Sequence, residues 1–253
     1  MKIAVSGKGG VGKTTFAALL IRILDEEGKY VLAIDADPDA NLAAAIGIAN
    51  SDKIAPISEM KKLIYERTGA ESGGIGGFFK LNPKVDDLPD TLSVKLNNIK
   101  LMRMGGIKKG GSGCICPEST LLKALITHIV LQRNEVVVMD MEAGIEHLGR
   151  ATAMAVDKLV IVVEPGRRSI DTAERIKKLA SEIGLTNIKV VGNKIRNNKD
   201  EKFLKKHLSD FEFIAFLPYD NALIEADLNG ISPFNIDSPA KKNVKKMIPK
   251  LAV

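Results

Sequence analysis

The sequence predicts an α/β fold: a mostly parallel central sheet flanked by helices on both faces. Short apolar runs alternate with helical stretches along the chain, the rhythm of parallel strands joined by crossover helices. The valine, isoleucine and phenylalanine content of those runs suits strands buried on both faces. A glycine-rich turn separates the first run from the first helical stretch, where backbone N–H groups can receive phosphate.

The expected strands, in order, are 2–6, 30–35, 135–140, 158–163, 188–193 and 211–216. Helices are expected at 14–27, 169–183 and 221–228. In the first of these, Phe16, Leu19, Leu20, Ile23 and Leu24 recur at helical spacing, and Gly28 follows where a glycine commonly ends a helix. Residues 50–113 depart from the rhythm. They hold a helical stretch at 57–67, the glycine-rich piece 71–77, the segment NPKVDDLPD and, after Leu92, an irregular strand leading into a second glycine-rich loop. This stretch is expected as an insertion in one domain covering 1–253, because no repeat or low-complexity linker divides the chain. The basic tail SPAKKNVKKMIPKLAV is expected to form a solvated last helix, interrupted at Pro249.

Composition removes several classes of function. With 253 residues, 45% hydrophobic and 27% charged, the chain can bury a core and is neither a disordered tail nor a fibre. No apolar run approaches the roughly 18–20 residues that cross a bilayer. The opening MKIAVSGKGG lacks the apolar region of a signal peptide, so a cytoplasmic protein is expected. Its two cysteines, Cys114 and Cys116, stand one residue apart, poorly placed for a disulfide with each other, which fits a reducing compartment. A net charge of +6 is weak ground for nucleic-acid binding, and aromatics at 4% are too sparse to build a base-stacking surface. Neither a nucleic acid nor a membrane is therefore expected as partner.

GKGGVGKT at 7–14 satisfies G-x-x-x-x-G-K-[ST], with an expected strand entering and an amphipathic helix leaving. Backbone N–H groups of Gly7, Gly9, Gly10, Val11 and Gly12 can close around phosphate oxygens, and the helix N-terminus favours negative charge. Lys13 is placed to reach the β- and γ-phosphates, the Thr14 hydroxyl to bind Mg²⁺ and Thr15 to donate to the α-phosphate. The pattern implies ATP or ADP with Mg²⁺ as ligands, and hydrolysis to ADP and phosphate as the reaction.

A second lysine, Lys8, follows the first glycine. At this point the sequence resembles the deviant Walker A family of P-loop NTPases, which includes nitrogenase iron protein, MinD, ParA and metallocluster-maturation ATPases. The resemblance implies that Lys8 reaches across a homodimer to the partner's nucleotide. A cation supplied in trans would offset charge developing on the transferred phosphoryl group.

The same resemblance extends to two further segments. DADPDANL at 35–42 is similar to the family's first switch, which implies that Asp37 lies near the attacking water with Asp35 and Asp39 as supporting charges. The residues alone also allow Asp39 or Asn41 simply to cap the next helix. Relatives with an acidic residue at the position of Asn41 differ here, so Asn41 is given no metal role. In VVVMDMEAGIEH at 136–147, Asp140 ends a strand beside the P-loop and reads as the group that holds a Mg²⁺-bound water. Gly144 would let the second switch swing, while Glu142 and His147 have no necessary part in hydrolysis. Asn193 stands where the family bonds the adenine edge, although an asparagine ending a strand is also a common turn residue. Residues 216–233 resemble the family's P-x-x-x-x-x-x-E-A segment, which makes Pro218 and Tyr219 neighbours of the adenine.

Pro117 suits the first position of a helix and would set Cys116 at its N-cap. The helix dipole, with Lys108 and Lys109 nearby, favours a thiolate and hence a metal ligand. One Cys-x-Cys supplies two ligands, and two copies across a twofold axis supply the four of a closed site. Soft thiolates suit Zn²⁺ or iron–sulfur clusters, with Ni²⁺ indicated by the family's biological setting. LNPKVDDL, RMGGIKKGGSGCIC and VVMDMEAGIEHL resemble the CooC-type maturation ATPases of carbon monoxide dehydrogenase and acetyl-CoA synthase. That resemblance covers essentially the whole chain. It implies a nucleotide- and metal-dependent homodimer, Ni²⁺ or Zn²⁺ bridging the two chains, and one of those nickel enzymes as client. Two other readings stay open at this point: a spatial organiser of the MinD or ParA type, and a carrier of an iron–sulfur cluster between subunits.

Overall fold

Strands that are apolar on both faces must be covered from both sides. The computed structural model, which describes residues 1–70, 79–105, 116–142 and 156–252, arranges them that way. The strands are β1 (Lys2–Gly7), β2 (Val31–Ala36), β3 (Val94–Leu96), β4 (Ile99–Arg103), β5 (Val136–Met141), β6 (Lys158–Val163), β7 (Ile188–Ile195) and β8 (Glu212–Pro218). They form one sheet in the order β3-β4-β2-β5-β1-β6-β7-β8. Every neighbouring pair is parallel except β3 with β4. All six strands expected from the apolar runs are present.

Alternate residues of the central strands supply two cores, as the pleat requires. Ile3 and Val5 of β1 face α1 (Lys13–Glu26), α2 (Leu42–Ile46) and the last helix, whereas Ala4 belongs to the core on the opposite face. That opposite face is covered by α3 (Lys61–Thr68), α5 (Pro117–Gln132) and α6 (Arg167–Glu182). The short α4 (Leu88–Thr91), with α7 (Asn198–His207), α8 (Asn221–Leu228) and α9 (Pro239–Ala252), completes the described helices.

Three expectations need revision. The irregular strand expected after Leu92 is an ordinary hairpin: β3 turns at Asn97, which adopts φ 50°, and β4 returns to pair in parallel with β2. Residues 50–113 therefore contribute two strands to the sheet itself. The helical stretch expected at 57–67 divides at Met60 into a 3₁₀ turn, Ile57–Glu59, and α3, because Ser58 N–H is drawn to the Met104 carbonyl at the end of β4. The tail is not merely a solvated helix. Ala240, Val244, Met247 and Leu251 recur on one face of α9 and are buried against α1 and β8. Pro249 does not stop this helix: its ring is exposed, on the side where the carbonyl it leaves unbonded can meet water. Asn243 and Lys250 side chains donate to the Phe216 and Ile214 carbonyls and tie α9 to β8. Among the described residues no helix is long and apolar enough to cross a membrane.

Candidate nucleotide site

Parallel strands end at one edge of the sheet, and the loops leaving that edge converge there. The loop after β1 needs glycine at its first position. Gly7 has φ 152°, and a Cβ there would collide with the Val162 carbonyl of β6. Gly12, at φ 93°, passes so close to the Asn193 side chain that it too has no room for a Cβ. The loop then enters α1 at Lys13, with its N–H groups at the helix N-terminus, the arrangement that binds phosphate. Lys13 is nearly buried, and its Nζ lies 3.9 Å from Asp37 Oδ2.

Residues beyond the loop hold its carbonyls outward. Asn193 Nδ2 donates to Val11 O at 2.7 Å, and Lys194 Nζ donates to Gly10 O at 2.6 Å. Asn193 thus lies beside the P-loop, with one amide N–H bonded to the loop backbone.

Register explains the pair of buried carboxylates. Asp35 on β2 lies directly opposite Asp140 on β5, so both project to the same face. Asp35 Oδ2 accepts from Leu42 N–H at 3.0 Å, while Asp35 Oδ1 and both Asp140 oxygens have no full hydrogen bond among the described residues. Burial pushes the Asp140 carboxyl up to about 7; the Thr14 hydroxyl pulls it back and the charge of Asp35 adds to the rise. Burial likewise raises Asp35 to about 6, against the pull of the Leu42 and Asp37 backbone N–H groups. A buried, unsatisfied carboxylate beside the Thr14 hydroxyl is a set of hard oxygen donors and fits Mg²⁺, held directly or through water. Bound there, the ion would neutralise charge on the nucleotide's phosphates.

The helix-capping role considered for Asp39 and Asn41 is filled otherwise. Neither side chain caps α2; Asp35 takes the Leu42 N–H instead, and Asp37 Oδ1 accepts from Asp39 N–H in a local turn. This leaves Asp37 Oδ2 facing Lys13.

On the far side of the loop a cavity of about 240 Å³ is lined by Gly12, Thr15, Phe16, Asn193, Tyr219 and Asp220, among others. Tyr219 is half-exposed, with the Arg196 guanidinium over its ring at 5.4 Å, and its N–H bonds to Ile195 O. Pro218 ends β8 just before it, outside that lining set. A larger concavity of about 620 Å³ lies away from this edge, between Lys177, His207 and Phe211, and holds none of the phosphate-binding residues. Chemistry, not volume, selects the site.

Cys116 is half-buried at the N-cap of α5, immediately before Pro117, and its carbonyl accepts from Thr120 N–H. Cys114, Lys108, Lys109, Gly144 and His147 lie outside the described residues. Among the described residues no three His, Cys, Asp or Glu side chains gather as a metal site. Glu164 and Lys194 were missed in the sequence. The available signal was position: Glu164 directly follows β6, β1's own neighbour, and Lys194 is the penultimate residue of β7, both at the edge that carries the P-loop.

A strand–glycine loop–helix unit with two lysines, and buried carboxylates ending the adjoining strands, defines a P-loop nucleotide-binding protein of the deviant Walker A type. The chain belongs to the CobQ/CobB/MinD/ParA nucleotide-binding domain family, whose sequence model matches residues 2–234. It is 49% identical over 242 residues to the carbon monoxide dehydrogenase accessory protein CooC of Rhodospirillum rubrum, covering 95% of this chain and 91% of that protein. An uncharacterised ATP-binding protein of Methanocaldococcus jannaschii is 47% identical over 250 residues, covering 98% and 96%. The fold matches the septum site-determining protein MinD of Pyrococcus horikoshii, solved with Mg-ADP, at a TM-score of 0.66 and 20% identity over 99% of this chain and 96% of that one.

Proposed function

We propose that this chain is a Mg²⁺-dependent ATPase that matures a nickel carbon monoxide dehydrogenase or acetyl-CoA synthase in the cytoplasm. The observation that carries the reading is the 49% identity to CooC across nearly the full length of both proteins. ATP closes a homodimer, with Lys8 of each copy reaching the other's phosphates. Closure brings Cys114 and Cys116 of both copies together around one Ni²⁺ or Zn²⁺ ion, the cargo. Asp37 orients the attacking water, Lys13 and the loop amides of residues 7–12 hold the phosphates, and Asp140 and Thr14 serve Mg²⁺. Asn193, Pro218 and Tyr219 bound the adenine. Hydrolysis then reopens the dimer and releases metal to the client.

Ligand counting supports the metal stoichiometry: two thiolates per chain give the four of a closed soft-metal site only in the dimer. The half-buried Cys116 at the mouth of α5 is compatible with ligation from a second copy. A spatial organiser that uses its tail on a lipid surface is not favoured, because the apolar face of α9 is already spent on α1 and β8.

Metal analysis of anaerobically purified protein, with and without a non-hydrolysable ATP analogue, tests the proposal. One divalent ion per dimer is expected, lost in Cys114→Ala and Cys116→Ala with most ATP affinity retained. One tightly bound ion per monomer, unaffected by either substitution, would place the site elsewhere and sink the cargo reading.

A further inference from the structure

Lys8 leaves the P-loop immediately after Gly7, and its ammonium meets a carboxylate of its own chain: Lys8 Nζ lies 3.5 Å from Glu164 Oε1. The second oxygen of Glu164 accepts from Lys194 Nζ at 3.0 Å, and the same ammonium donates to the Gly10 carbonyl at 2.6 Å. One carboxylate therefore binds the signature lysine and, through Lys194, is fastened to the P-loop. Lys194 also has φ 56°, in the left-handed region that a side chain longer than glycine's rarely adopts. Such strain persists only where the surroundings over-determine it, and here it accompanies an ammonium aimed at two P-loop-side acceptors.

We infer that Glu164 is a positioning residue that holds Lys8 on its own subunit and competes for it with the partner's nucleotide. The inference rests on the reading of Lys8 as acting in trans. One ammonium cannot stay on Glu164 and also reach across the interface, so closing the dimer breaks one Lys8–Glu164 pair in each subunit. Lys194 has a different part. It remains with the carboxylate after Lys8 departs, which spares the closed dimer a half-buried, unpaired charge. Glu164 thereby sets how much nucleotide binding must contribute before two subunits close.

The Lys8 and Glu164 side chains are 34% and 24% exposed, so solvent screens the pair. A pair of that kind changes an equilibrium by about 1.4- to 5-fold, and two pairs per dimer multiply to roughly 2- to 30-fold. Glu164→Gln removes the charge while keeping an oxygen for Lys194. Sedimentation of the full chain with Mg²⁺ and a non-hydrolysable ATP analogue should show its dimer dissociation constant lowered by that factor. In a Lys8→Ala background the same substitution should change nothing. Glu164→Asp, one methylene shorter, should fall between Glu164→Gln and the parent, and decides alone if Glu164→Gln does not fold. No tightening in either variant, or equal tightening without Lys8, overturns the inference. The two readings fail separately. If Lys8→Ala weakens the dimer while the Glu164 variants match the parent, only the role of Glu164 falls. If Lys8→Ala dimerises like the parent, the trans role of Lys8 falls and takes this one with it.

Discussion

Asp140 and Asp35 are carboxyls whose pKa in the folded, nucleotide-free chain is raised by burial, to about 7 and about 6. The unfolded chain releases both protons near pH 4. Between about pH 4 and 7 the folded state therefore binds more protons, so stability falls as pH rises through that window. Melting temperature of nucleotide-free protein should accordingly be higher near pH 5.5 than near pH 8 as far as these two groups decide it, and Asp140→Asn should flatten the slope. A steeper slope in Asp140→Asn would contradict the assignment. The two residues proposed to face the γ-phosphate, Lys13 and Asp37, separate binding from chemistry. Lys13→Ala removes charge-assisted bonds worth about 1.5–3 kcal/mol, roughly 10- to 150-fold in nucleotide affinity. Asp37→Ala should leave ATP bound and slow hydrolysis by about 10²-fold or more. Parent-like turnover in Asp37→Ala would remove it from the reaction.

At the scale of elements, local pattern and tertiary pairing contributed differently. The six apolar runs and α1 were legible because burial on both faces and a 3.6-residue repeat leave direct marks on residue type. The β3–β4 hairpin was harder to read because SVKLNNIKLMR mixes charges into its strands: β3 lies at the sheet edge, and the side chains of Lys100 and Arg103 reach Asp90 and the Ile54 carbonyl. The last helix was hard to read for the opposite reason. Its apolar stripe is narrow and its lysines many, so only the groove between α1 and β8 shows what the stripe covers. Met247 is fully buried there, and Met247→Ala should destabilise the fold by about 2–5 kcal/mol, read as a lowered denaturation midpoint. A change under about 0.5 kcal/mol would mean that α9 docks loosely, and would revive a role for its apolar face elsewhere.

At the scale of the whole molecule, the proposed cargo site exists only between two copies, which couples metal to assembly. An ion that binds the dimer alone pulls monomers into dimers by mass action. Light scattering of nucleotide-bound protein should therefore show more dimer with added Ni²⁺ or Zn²⁺. Lower pH should reverse the gain, because protons compete for the thiolates. Metal binding that leaves the oligomeric state unchanged would break the coupling. By itself the sequence determined the class of this protein. A phosphate loop needs glycines at fixed short spacing, parallel strands need unbroken apolar runs, and both requirements are local enough to be written in nearby residues. The tertiary structure decided the wiring at the sheet's edge. Asp35 opposite Asp140, Glu164 against Lys8, and Lys194 on the Gly10 carbonyl join residues 105, 156 and 184 positions apart in the sequence, and the Lys194–Glu164 pair spans 30. Such pairs follow from strand order and register, which no stretch of neighbouring residues records.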